Sequence, residues 1–163
     1  MTPITSGLLE AVQVSRLAEG LSPDQVGTLA GLLSLQACQD QELLSSEGSP
    51  DSRLLAVVTG SLKIVKGLGT LDETTLVTLS PHDLVHELGF LDGAPRHASL
   101  VATGASQVLV LERERLESLI DSDPKLLYAL MCTIVRSVHR VQTTLAVQAN
   151  ELTNYIVKQH GRY

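Results

Sequence analysis

The segment His86-Glu87-Leu88-Gly89-Phe90-Leu91-Asp92-Gly93-Ala94-Pro95-Arg96-His97-Ala98 sets one glutamate and one arginine around a glycine-bearing turn in otherwise apolar surroundings. Arginine suits a buried phosphate, because its planar fork donates two parallel hydrogen bonds and never loses its charge. A carboxylate such as Glu87 can accept from sugar hydroxyls. A sugar acceptor and a phosphate donor joined by a tight turn have the chemistry of a nucleotide monophosphate site.

The elements around this segment change character along the chain. Residues 5–19 read as a helix, with Leu8, Leu9, Val12 and Leu17 near helical spacing. Ser22-Pro23-Asp24-Gln25 is a helix start: Ser as cap, Pro in the first turn, Gln three residues on. That helix runs to about Leu33, with Val26, Leu29 and Leu32 or Leu33 facing inward. From 36 to 111, short apolar runs alternate with turn residues: Glu42 to Leu44, Leu54 to Val58, Leu62 to Val65, Thr74 to Leu79, Ser99 to Ala102 and Val108 to Leu111. Gly48, Gly60, Gly67, Gly69, Gly93 and Gly104 punctuate them. Many short strands with glycine turns imply a sandwich or jelly roll. Helix returns at about 113–120, and a long helix follows from about Pro124 to Gln159.

The long helix carries a second signal. Leu127, Met131, Ile134, Val138, Val141, Leu145, Gln148, Leu152 and Tyr155 repeat at spacings of four and three. Sustained over four repeats, this is a two-chain coiled-coil seam, with the polar Gln148 able to fix register. The alternative is a core helix on which Gln148 is merely tolerated.

The cassette resembles the phosphate-binding segment of cyclic-nucleotide-binding domains, as in the bacterial catabolite activator family and kinase regulatory subunits. Glu87, Leu88, Gly89, Leu91, Pro95, Arg96 and Ala98 fit the family pattern. The resemblance extends through Glu47-Gly48-Ser49-Pro50-Asp51, Leu54 to Gly60 and Ser61 to Val65, and covers roughly residues 20–145. It implies a mainly β fold with flanking helices. In that fold a jelly-roll β-barrel of eight-strand type with N-terminal helices (1–122) is followed by a long C-terminal dimerisation helix (123–163). It implies that Arg96 clamps the exocyclic oxygens of a cyclic phosphate and that Glu87 accepts from the ribose 2′-hydroxyl. The backbone of a short helix after residue 86, and the amides of His97 and Ala98, would complete the shell. Leu88, Val65 and Leu76 would line it. Gln142 and Thr144, beside the seam, are candidates to touch the base.

Two positions depart from the family. His86 stands where a Gly precedes the Glu, and His82 where a Gly sits in the preceding turn; a left-handed backbone at either is less comfortable for His. His97 stands where many cyclic-AMP binders carry Ser or Thr. These changes point to altered specificity, to affinity that varies between about pH 5.5 and 7.5 if His86 adjoins the ligand, or to a pocket that has lost its ligand. A metal site at His82, His86 and His97 is disfavoured, because the segment enters from a strand and turn rather than along a helix.

Composition narrows the classes. The net charge of -6 argues against a broad nucleic-acid-binding face. No apolar run approaches a bilayer span, and Met1-Thr2-Pro3-Ile4 does not begin a signal peptide. Cys38 and Cys132 read as a free pair in a reducing cytoplasm. No Gly-x-Ser-x-Gly, phosphate loop or His-Glu-x-x-His suggests an enzyme. Apolar residues make up 44% and charged ones only 18%, which leaves apolar surface for a subunit interface. The chain ends at His160-Gly161-Arg162-Tyr163, without the helix-turn-helix domain of the family's transcription regulators. The expectation is a cytoplasmic, homodimeric sensor with no cofactor and no catalytic or DNA-binding output of its own. It would bind cyclic AMP first, then cyclic GMP or a cyclic dinucleotide, and signal through an unidentified effector protein. The alternatives are a ligand-free interaction module of the same fold, and the sensor part of a transcription regulator.

Overall fold

The computed structural model describes the backbone of residues 3–160 and the side chains of residues 7–140, 142 and 143. Helix α1 (Pro3–Val14) and a 3-10 turn (Arg16–Ala18) precede α2 (Pro23–Leu32). Six strands follow: β1 (Leu33–Cys38), β2 (Leu43–Ser45), β3 (Arg53–Lys66), β4 (Thr74–Leu79), β5 (Leu84–Val85) and β6 (Ser99–Glu112). A short helix α3 (Glu87–Asp92) sits between β5 and β6, and α4 (Arg113–Glu117), α5 (Leu119–Ser122) and α6 (Pro124–His160) close the fold.

The start of α2 is made as its sequence predicts. Gln25 N donates to Ser22 Oγ at 3.3 Å and Ser22 N to Gln25 Oε1 at 3.0 Å, so each end of the pair satisfies a free helix-start group. The strands form one antiparallel sheet in the order β1-β6-β3-β4, with β2 paired to β6 and β5 to β3. Six strands make the roll of eight-strand type, because two of them are long and bent. Leu54–Val58 and Leu62–Val65 belong to one 14-residue strand, as do Ser99–Ala102 and Val108–Leu111. Gly60 (φ 76°) and Gly104 (φ 69°) bend these strands instead of ending them, and the β3–β6 register shifts on both sides of Thr59. A Cβ on Gly60 would lie 2.7 Å from the Ala105 carbonyl oxygen, so only glycine permits that approach. Strands β1 and β5 were not expected, and α1 is shorter than the 5–19 helix.

The long strands read as continuous apolar runs because both sheet faces are buried. Leu54, Ala56, Leu109 and Leu111 face a core shared with the helices, while Leu55, Val57, Val108 and Val110 face the interior of the roll. Helix α6 joins the first core through Leu126, Leu130 and Ile134, all fully buried. The coiled-coil expectation is therefore corrected at its start. Ile134 lies inside the chain's own core, and Leu127 and Met131 are half-buried against it. The inward stripe runs 126, 130, 134 and 137, because the first turns of α6 pack on the 3-10 turn, α3 and α5. Val138 is half-buried, and His139, Arg140, Gln142 and Thr143 are exposed. The side chains of Val141, Thr144, Leu145, Gln148, Leu152 and Tyr155 lie outside the described residues.

Candidate functional site

Helix α3 is anchored at three points. Phe90 is fully buried in the helix-facing core. Arg113 holds the α3 carbonyls, Nε on Phe90 O at 2.5 Å and Nη2 on Gly89 O at 2.8 Å. Gly93 ends the helix at φ 76°, donating to Gly89 O at 3.0 Å. At its start His86 is also left-handed, at φ 76° and ψ 21°, and His82 has φ 76°. Both histidines therefore adopt the backbone for which the family uses glycine.

Arg96 follows the turn and is 5% exposed. Its backbone is zipped to the preceding loop, Arg96 N on Ser49 O at 3.1 Å and Gly48 N on Arg96 O at 2.7 Å. Its guanidinium is caged by carbonyls: Nη2 donates to Asp51 O at 2.6 Å and Arg53 O at 3.0 Å, and Nη1 to His86 O at 3.4 Å. Asp51 Oδ1 lies 3.7 Å from Nη2. Nε is buried and has no partner among the described residues. Burial, with the Arg53 and Arg113 charges, pulls the Arg96 pKa down, and Asp51 opposes them. An arginine still keeps its charge. Asp51 is itself gripped by Arg53, through Nε at 2.9 Å and Nη2 at 2.9 Å. Burial pushes the Asp51 carboxyl up, but the Arg53 bonds and charge outweigh it and hold it below the usual range.

Glu87 opens α3. It makes no ion pair with Arg96; its Oε1 accepts from Ser137 Oγ on α6 at 2.8 Å. Burial raises its pKa, helped by Asp83 and opposed by its own amide and Ser137. The His86 imidazole lies 3.4 Å from Ser45 Oγ through Nε2, and its Nδ1 is buried without a partner. Burial, then the Arg96 charge, push its pKa down from 6.5 to about 4. In the ligand-free chain that favours the neutral ring between pH 5.5 and 7.5.

Glu87 and Arg96 line one cavity of about 410 Å³, within the size range of small-ligand sites. Ile64, Leu76, Val77 and Leu79 from the strands and His86, Leu88, Pro95, His97 and Ala98 from the cassette also line it. Leu76 and Leu88 stand at its rim, 55% and 61% exposed. Val65, expected as lining, is buried, and its neighbour Ile64 takes that place. His97 is exposed, and its carbonyl accepts from Lys66 Nζ at 2.9 Å. Gln142 is exposed on α6 and does not line the cavity. Sequence reasoning gave no role to Asp51, Arg53, Arg113 or Ser137. The opposite charges of Asp51 and Arg53, just before an apolar run, were the available signal for that pair.

The model of the cyclic nucleotide-binding domain matches residues 35–123, more than half of the chain. A curated relative, the CRP-like cAMP-activated global transcriptional regulator of Mycobacterium tuberculosis, is 25% identical over 128 residues, 78% of this chain and 57% of that protein. The cyclic AMP receptor protein of Thermus thermophilus is 26% identical over 131 residues, 80% of this chain and 61% of that protein. The chain thus spans about three fifths of the relatives it matches. Among solved structures, a cyclic nucleotide-binding domain from Methylobacillus flagellatus superposes with a TM-score of 0.70 at 24% identity, covering 95% of this chain and 83% of that one. The Thermus thermophilus catabolite activator protein superposes at 0.65 with 26% identity, covering 83% and 63%. Its cassette, rolled sheet and matched length agree, and the chain belongs to the cyclic nucleotide-binding domain family.

Proposed function

We propose that this chain is a sensor that binds a cyclic nucleotide, cyclic AMP before cyclic GMP or a cyclic dinucleotide, and passes the binding event on through α6 to an effector protein. The observation that carries this reading is the shared cavity of Glu87 and Arg96, with the carbonyl cage leaving Arg96 Nε buried and unpartnered. A cyclic phosphate would satisfy that donor, and the ribose 2′-hydroxyl would donate to Glu87. Leu88 and His97 would border the ligand at the rim, Ala98 would pack beneath the phosphate, and His86 would support the cassette as a neutral ring. Gln142 and Thr144 would touch the base from the α6 of a second subunit. The names of the curated relatives support cyclic AMP as the first ligand to try. Free Cys38 and Cys132 fit a reducing cytoplasm, and no helix among the described residues is long and apolar enough to cross a membrane. A homodimer would form along α6 beyond Ile134, through Val138, Val141, Leu145, Gln148, Leu152 and Tyr155. We read the chain as a regulatory domain.

The second reading, a ligand-free interaction module, draws on one feature: a histidine ring at position 86 in the cassette. Calorimetric titration with cyclic AMP, cyclic GMP and cyclic di-GMP separates the two. A bond to a charged group contributes about 1.5–3 kcal/mol, so Arg96→Ala should weaken binding at least ~10-fold. Equal affinity in Arg96→Ala refutes the phosphate clamp, and no saturable binding to the wild type leaves the interaction module standing.

A further inference from the structure

Helix α6 reaches the cassette with one polar side chain. Ser137 is 4% exposed, and its hydroxyl donates to Glu87 Oε1 at 2.8 Å across 50 residues of sequence. A helical Ser or Thr ordinarily bonds back to the carbonyl one turn earlier. Thr133 and Thr143 do so on this helix, to Ala129 O at 3.2 Å and His139 O at 2.9 Å. Ser137 does not; its hydroxyl is turned to the cassette. Among the described residues no Lys, Arg or His forms an ion pair with Glu87, and the charge that bears on it is the like charge of Asp83, itself paired with Arg16 at 3.2 Å. Glu87 is thus a half-buried carboxylate whose steadying contacts are its own amide and the Ser137 hydroxyl.

We propose that Ser137 is a positioning residue for recognition of the ligand's 2′-hydroxyl, an inference that rests on the cyclic-nucleotide reading. By occupying Oε1, Ser137 fixes the carboxylate and leaves Oε2 as the acceptor for a sugar hydroxyl in the cavity that Glu87 lines. Discrimination between ribose and deoxyribose then depends on a residue of the long helix rather than on the cassette alone. Binding is reciprocal with this contact: a ligand hydroxyl that favours the fixed carboxylate also favours α6 in the position that supplies Ser137.

The test compares titrations of cyclic AMP and its 2′-deoxy analogue on the full chain. The wild type should prefer cyclic AMP by about 10-fold or more, as expected for one hydrogen bond to a charged acceptor. Ser137→Ala should shrink that preference to within about threefold while binding still depends on Arg96, and Ser137→Thr, which restores a hydroxyl, should return it. Ser137→Cys, close in size with a weak donor, gives the same reading should the alanine variant fold poorly. An undiminished preference in Ser137→Ala and Ser137→Cys overturns the inference and leaves nucleotide binding intact. Equal wild-type affinity for the two ligands overturns it as well. A wild type that binds neither ligand overturns the underlying reading.

Discussion

His86 should make this fold sensitive to acid. Its ring is pressed between groups that oppose a proton: burial first, then the Arg96 charge, with Arg53 adding and Asp51 opposing. The pKa falls from 6.5 to about 4. Between those values the unfolded chain holds more protons than the folded one, so stability is fully present above pH 6.5 and is lost as pH falls toward 4. The gap of 2.5 units is worth about 3 kcal/mol in full, of which about 2.5 kcal/mol has gone by pH 4.5. The perturbation is His86→Gly. It removes the titrating ring and also relieves the left-handed strain at φ 76°, a pH-independent gain of about 1 kcal/mol set against the lost packing. The assay is urea unfolding of both proteins at pH 7.5 and 4.5, at one protein concentration. Asp51 and Glu47, whose pKa values lie below their usual range, also lose stability in acid, and Glu87, raised by burial, moves the opposite way. These groups are common to both proteins and cancel in the difference. The wild type should lose about 2.5 kcal/mol more than His86→Gly over this interval. Parallel losses would show that His86 titrates normally and refute the reasoning.

Gly89→Ala should cost both stability and binding. Its Cβ would fall 2.6 Å from Arg96 Nη1 and 3.3 Å from Ala94 O. The guanidinium is buried and held by three carbonyls, so it cannot yield cheaply: the melting temperature should fall, and cyclic-AMP affinity should drop about 10-fold or more by calorimetry. Unchanged affinity would mean that the guanidinium's seat does not matter for binding. Ile134→Ala should cost about 2–5 kcal/mol in urea unfolding and leave the oligomeric state alone, because Ile134 fills the chain's own core. Val138→Glu or Leu145→Glu should instead turn a dimer into a monomer by light scattering, with helicity retained; persistent dimers would remove the seam.

The cassette was legible because its information is local. Glu87, Gly89, Gly93 and Arg96 lie within one turn and a short helix, so residue types and spacing suffice to place them near each other. The two histidines replacing glycine were legible for the same reason: a backbone that needs positive φ keeps it whatever side chain it carries, and both sit at φ 76°. What holds those residues is long-range. The carbonyls that cage Arg96 come from 43 and 45 residues away as well as from its own cassette, and Ser137 reaches Glu87 across 50. No local pattern marks a carbonyl as a partner. The joining of four short runs into two long strands was not legible, because Gly60 and Gly104 have the composition of turns and the geometry of bends. The seam misled at Ile134 because a three-four repeat serves a helix's own core as well as a partner's.

The two site residues differ in what a ligand would ask of them. Arg96 is already bonded through both terminal nitrogens to carbonyls of β3, the preceding loop and the start of α3. Nε is the guanidinium donor left without a partner among the described residues, but it is buried, so a phosphate would reach it only as the surrounding wall opens. Glu87 is tied to α6 by a single hydroxyl, and a ligand hydroxyl would join that same carboxylate. Only an interaction that differs between two arrangements of the protein can shift one toward the other. On the proposed reading, sugar recognition would engage the contact between cassette and long helix. A ligand carrying the phosphate without a free 2′-hydroxyl should therefore occupy the cavity yet perturb α6 least. Amide hydrogen exchange along α6, measured with cyclic AMP and with its 2′-deoxy analogue at matched saturation, would read that difference, and equal protection by both would place the coupling elsewhere.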